Sequence, residues 1–76
     1  MGNDELEEDS RIAVECMRDS NASGVPRYVW DYRVFARDRT TIIDTSDSGG
    51  VSYASPKIAL SEGWRMARES LARLGR

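Results

Sequence analysis

Tyr28-Val29-Trp30-Asp31-Tyr32-Arg33-Val34-Phe35-Ala36-Arg37 decides the fold of this chain. Tyr28, Trp30, Tyr32, Val34 and Ala36 form one continuous apolar set, and Val29, Asp31, Arg33, Phe35 and Arg37 alternate with them. A repeat of two belongs to an extended strand, whose successive side chains point to opposite faces. The first set therefore faces a core, and the second is left on a free face. Forward of it, Arg37-Asp38-Arg39 reads as a turn, and Thr40–Thr45, β-branched except for Asp44, reads as a second strand. Ser46–Gly50 is a loop with two glycines for positive φ, and Val51–Ala54 a short third strand. Residues 28–55 thus form a three-stranded antiparallel meander.

Ser55-Pro56 then starts a helix, with a hydroxyl cap followed by proline in the first turn. Leu60, Trp64, Ala67, Leu71 and Leu74 recur at helical spacing, and Gly75 is the stop. This amphipathic helix, residues 56–75, is expected to lie across the Tyr/Trp face of the sheet, with Glu62, Arg65, Arg68, Glu69 and Arg73 outside the stripe. Glu69 and Arg73 stand at the favourable i, i+4 spacing.

Backward from the strand, residues 21–27 (Asn-Ala-Ser-Gly-Val-Pro-Arg) have linker chemistry. Residues 3–20 read as an acidic helix, with Asn3 as cap and Asp4, Glu5, Glu7 and Glu8 in the turns favoured by the helix dipole. Leu6, Ala13, Cys16 and Met17 give it a narrow stripe. The expected architecture is α+β in the order α-β-β-β-α, one domain over residues 1–76. The C-terminal helix covers one sheet face, and the other face and the acidic helix are left for recognition.

Composition narrows the function classes. The 76 residues carry 13 acids and 11 bases, a formal charge of −2, so the total points to neither nucleic acid nor membrane. The charge is uneven: residues 1–20 carry −5, residues 21–55 are balanced, and residues 56–76 carry +3. There is no His, which removes the commonest general base and metal ligand. The single Cys16 forms no internal disulfide and fits a reducing compartment. No apolar run approaches a membrane span, and the acidic N-terminus is unlike a signal peptide, so a cytoplasmic location and no membrane contact are expected. A domain this small is marginally stable, and partner binding or dimerisation matters to it.

Each candidate site has a plainer alternative. Asp47-Ser48-Gly49-Gly50 echoes a serine-protease nucleophile loop, but without His it reads as a glycine turn. Asp44, Ser46, Ser48 and Gly49 have the opening spacing of a calcium loop, yet the twelfth position is Ser55 rather than Glu. Cys16 has acidic neighbours and reads as a small buried hydrophobe. No catalytic residue, metal site or cofactor is expected, and the chain reads as a non-enzyme. Two surfaces remain. Asp4, Glu5, Glu7, Glu8 and Asp9 form an acidic patch suited to a protein partner with a basic surface, or to imitating phosphates. Arg33, Phe35, Arg37 and Arg39, on or beside the free sheet face, suit a protein partner or nucleic acid.

Residues 27–76 resemble, in layout, the three-strands-plus-helix DNA-binding domains of integrase arm-binding type, which implies nucleic-acid contact through the sheet. In size and mixed charge the chain also resembles small phage and mobile-element proteins, including the anti-CRISPR inhibitors. That resemblance implies stoichiometric blocking of a host nucleic-acid-binding machine such as a CRISPR effector. Asp4–Asp9 would occupy an Arg/Lys surface, and Arg33, Phe35 and Arg37 would give specificity. The expected function is a small protein-binding module, with a small DNA- or RNA-binding protein as the alternative. A homodimer is compatible with both.

Overall fold

The computed structural model describes residues 10–20 and 24–74. Three strands, β1 (Ile12–Arg18), β2 (Tyr28–Phe35) and β3 (Ile42–Asp47), are followed by one helix, α1 (Pro56–Leu74). The strands lie in chain order and both pairings are antiparallel. The α+β class, the three-stranded antiparallel sheet and the C-terminal helix agree with the sequence reading. The meander expected over residues 28–55, of which only the first two strands form, does not, and neither does the N-terminal element.

Residues 12–18, expected inside a helix over 3–20, form an edge strand. Ile12, Val14 and Cys16 alternate with Ala13, Glu15 and Met17, and they align with Val34, Tyr32 and Trp30 of the central strand. The cross-strand apolar partners outweigh a helical stripe broken by polar residues. Residues 3–9 of the expected acidic helix lie outside the described residues, and residues 10, 11, 19 and 20 are not helical. The expected strand at Val51–Ala54 is also corrected. Only Tyr53 reaches the sheet, as an isolated bridge with Tyr28 in which each N–H donates to the other's carbonyl, at 2.8 and 2.9 Å. Gly49 and Gly50 adopt φ of 63° and 87° and turn the chain out of the sheet after β3. Asp47 Oδ1 accepts the Gly49 N–H at 2.8 Å within that turn.

The expected strand over Thr40–Thr45 begins two residues later and runs to Asp47. Asp38 accounts for the late start. Its carboxylate accepts the backbone N–H groups of Thr40 and Thr41 at 2.8 and 2.9 Å and the Thr41 hydroxyl at 2.6 Å, which keeps both threonines in the turn. A bulge at Val34/Phe35 then shifts the register, so Phe35 faces Ile42 while Val34 faces Asp44.

The helix covers the Trp/Tyr face, as expected. Trp30, Tyr32 and Val34 are buried, and the Trp30 and Tyr32 rings stack with centroids 5.8 Å apart. The contact stripe on α1, however, is Ala59, Gly63, Ala67, Ser70 and Leu71. Leu60 and Trp64 flank it half-buried, and Leu74 is 48% exposed. The sheet supplies the bulk, so the helix must be small where the two meet. A β-carbon on Gly63 would stand 2.7 Å from Val14 Cγ1 and 3.2 Å from Trp30 Cβ. Trp64 instead carries the Arg68 guanidinium over its ring at 5.2 Å.

The helix starts as expected. Ser55 Oγ accepts the Ile58 N–H at 3.2 Å, and the Ser55 carbonyl accepts the Ala59 N–H at 3.1 Å. On its outer face Arg65 pairs with Glu62 at 2.7 Å and Glu69 at 3.7 Å, so Glu69 turns to Arg65 rather than to Arg73. Gly75, the expected stop, lies outside the described residues.

Candidate functional site

Among the described residues one face of the sheet is uncovered, and it follows from the same alternation that buries Trp30. Residues of β2 at odd positions, with their cross-strand partners, point away from α1. Four rows run across it. Met17 and Val29 form an apolar row, followed by a row of three carboxylates, Glu15, Asp31 and Asp47. Next come Ala13, Arg33 and Thr45, and last Phe35 with Ile42. Met17 is 41% exposed and Ile42 50%, so both ends of the face are apolar and open to solvent.

The carboxylate row is the feature that sequence reading missed. Like charges directly opposite on neighbouring strands repel, and here three stand in line. The Arg33 guanidinium reaches Glu15 at 3.7 Å, both side chains being about half exposed. Asp31, half-buried in the middle of the row, has no ion pair among the described residues. Glu15 could be aligned with Asp31 and Asp47 only once 12–18 was a strand. An open hollow of about 580 Å³ lies at this end of the face, bounded by Met17, Val29, Asp31, Asp47, Gly49 and Gly50 among others.

Of the residues expected on or beside this face, Arg33 and Phe35 lie on it. Arg37 and Arg39 lie in the turn after β2. Arg39 takes a φ of 60°, and its Nε donates to Ser10 Oγ at 2.9 Å, tying the turn to the chain entering β1. Arg11 Nε donates to the Phe35 carbonyl at 2.9 Å on the same end. The expected acidic patch, Asp4, Glu5, Glu7, Glu8 and Asp9, lies outside the described residues.

A second polar cluster sits between sheet and helix. Asp44 accepts the Tyr32 hydroxyl at 2.9 Å and also the Ser70 hydroxyl. The Ser70 hydrogen bond, then that of Tyr32, holds the Asp44 carboxyl below its usual range. Burial, with the neighbouring Asp44, pushes the Tyr32 hydroxyl up. Ser70 is 1% exposed, so its hydroxyl is sealed from any substrate. This cluster ties the helix to the sheet. Cys16 is half-buried against the core. Among the described residues no three His, Cys, Asp or Glu side chains converge to hold a metal ion. Nor is any helix among them long and apolar enough to cross a membrane.

The chain matches no protein-family model, no curated protein and no solved structure.

Proposed function

We propose that the chain is a small non-enzymatic protein-binding module that docks through its uncovered sheet face. The observation that carries this reading is the four-row pattern on that face: an apolar row, a row of three carboxylates, a row whose one charged member is Arg33, and an apolar row. Met17, Val29, Phe35 and Ile42 supply area whose removal from water favours association. The carboxylate row and Arg33 supply complementarity, which sets register and excludes wrong partners. The unpaired Asp31 is stabilised when a cation is brought to it.

The same row weighs against the nucleic-acid alternative. A sheet that reads nucleic acid lays cations along the phosphates, whereas here Glu15, Asp31 and Asp47 cross the middle of the face. The narrower form of the reading is a stoichiometric inhibitor of a nucleic-acid-binding machine. In it the acidic stretch Asp4–Asp9 competes with phosphates for a basic protein surface. Five acids within six residues are the support for that step.

Site-specific photo-crosslinking tests the docking face. A crosslinking residue placed at Phe35 is expected to give protein adducts that survive nuclease treatment, and one at Ile58, on the far side of α1, to give none. Adducts consisting of nucleic acid, or equal yields from both positions, would overturn the reading.

A further inference from the structure

The order of the four rows carries a more specific inference, which rests on the docking face proposed above. Turned end over end, the central strand sets Arg33 where Asp31 stands and Phe35 where Val29 stands, so along that strand the face is complementary to a reversed copy of itself. We propose that two copies of the chain pack face to face about a two-fold axis that runs across the strands. The axis lies between the Glu15–Asp31–Asp47 row and the Ala13–Arg33–Thr45 row.

Register fixes what meets what. Asp31 and Arg33 are consecutive outward residues of the central strand, so rotation about that axis sets Asp31 of each copy against Arg33 of the other. The next row outward sets Val29 against Phe35 of the second copy. Phe35 and Ile42 of each copy then enter the other's hollow over Val29, where Gly49 and Gly50 present no side chain. A two-fold axis along the strands would instead place carboxylates on carboxylates, so charge selects the first arrangement. Sheets packed face to face cross at about 30°. The Asp31–Arg33 pairs sit on the central strand beside the axis, where such a crossing displaces them least. Isologous contact of this kind is the commonest form of homo-oligomer.

The product is a four-layer helix–sheet–sheet–helix assembly. It provides the half-buried Asp31 with a cation and covers both apolar rows. It also carries two Asp4–Asp9 stretches, one from each copy. A three-stranded face lies toward the small end of specific interfaces, about 1,000 Å² in total, so the association is reversible and is read by dilution.

Charge reversal gives a test with an internal control. Asp31→Arg places two arginines on the outward side of the central strand, and Arg33→Asp places two aspartates there. Each variant repels itself, and the two attract each other through both pairs. Sedimentation of the full chain over a micromolar concentration series is expected to give twice the monomer mass for the wild type. Each variant alone should show at least about tenfold weaker self-association, and an equimolar mixture should recover the dimer. Far-ultraviolet circular dichroism checks that each variant is folded. A wild-type chain that stays monomeric throughout overturns the proposal even if a variant fails to fold. So does an unchanged dimer in either folded variant, or a mixture that does not recover association. A monomer that still gives foreign protein adducts at Phe35 sinks the dimer and leaves the docking face standing. A monomer with no adducts sinks both.

Discussion

Gly63 shows at the residue scale how the core dictates an identity that local propensity opposes. Glycine inside a helix is disfavoured relative to alanine by roughly 0.5–1 kcal/mol. On α1 the balance reverses, because an added methyl meets Val14 Cγ1 at 2.7 Å and the Trp30 side chain at 3.2 Å. Valine has little freedom to turn aside, being branched at Cβ. Gly63→Ala is therefore expected to destabilise the protein by about 1–3 kcal/mol in urea unfolding, and a stabilised variant would disprove the close approach. Asp44 is the second residue that packing explains. Its carboxyl is held below the ordinary value of 3.8 by Ser70 first and then Tyr32. A carboxyl depressed in the folded state lends stability that is present above its unfolded value and is lost as pH falls through the folded one. Asp44→Ala strips the acceptor from both hydroxyls and should cost about 1–3 kcal/mol near neutrality. It should also flatten the acid limb of the stability profile. An acid limb identical to that of the wild type would show that the cluster titrates with no consequence for folding.

At the scale of elements, what was legible follows how strongly each segment's pattern favours one period. Tyr28–Phe35 alternates without interruption, and β2 lies where the alternation puts it, with its apolar face against the helix. Ser55-Pro56 marks the start of α1 by cap chemistry alone. Residues 12–18 satisfy both periods: Ile12 and Cys16 are four apart, yet Ile12, Val14 and Cys16 also alternate. Only the partner strand, not present in local sequence, decides between them. That one ambiguity also hid Glu15 from Asp31 and Asp47, and with it the carboxylate row. On α1 the large residues marked the apolar side correctly but not its centre, because the centre is set by the bulk of Trp30 and Tyr32 on the sheet. The turn between β2 and β3 offers a direct check on element ends. Its three hydrogen bonds to Thr40 and Thr41, the Thr41 hydroxyl first, bring the Asp38 carboxyl from 3.8 down to about 2. Stability lent by this group is present above 3.8 and declines as pH falls toward about 2. The amide resonances of Thr40 and Thr41 are expected to titrate near 2 in the wild type and to lose that transition in Asp38→Asn. Titration at an ordinary carboxyl value would remove Asp38 as the reason β3 starts at Ile42. Ser55→Ala, at the other boundary, should cost about 1 kcal/mol, measured by thermal unfolding.

For the molecule as a whole, a single layer of contact between α1 and the sheet holds every buried residue among those described. Ile12 and Val34 from the strands and Ala59, Ala67 and Leu71 from the helix belong to one cluster, and Arg27 fastens the β1–β2 connection to Ser52 just before the helix. Neither the meander nor the helix retains a core when the other is removed, since a lone three-stranded sheet or a lone helix of this length is marginal in water. Folding should accordingly be one cooperative step. The molecule contains its own probes, because Trp30 reports from the sheet side of the contact and Trp64 from the helix. Single-tryptophan variants (Trp64→Phe to follow Trp30, and Trp30→Phe to follow Trp64) are each expected to give a fluorescence transition that coincides with loss of helix in circular dichroism of the same variant. Leu71→Ala, which opens a cavity at the buried contact, should lower the fluorescence and helix midpoints together by an amount equivalent to about 2–5 kcal/mol. A helix signal that disappears while Trp30 fluorescence is still native would mean that the sheet stands by itself. In that case the uncovered face would no longer be fixed by what α1 buries on the opposite side.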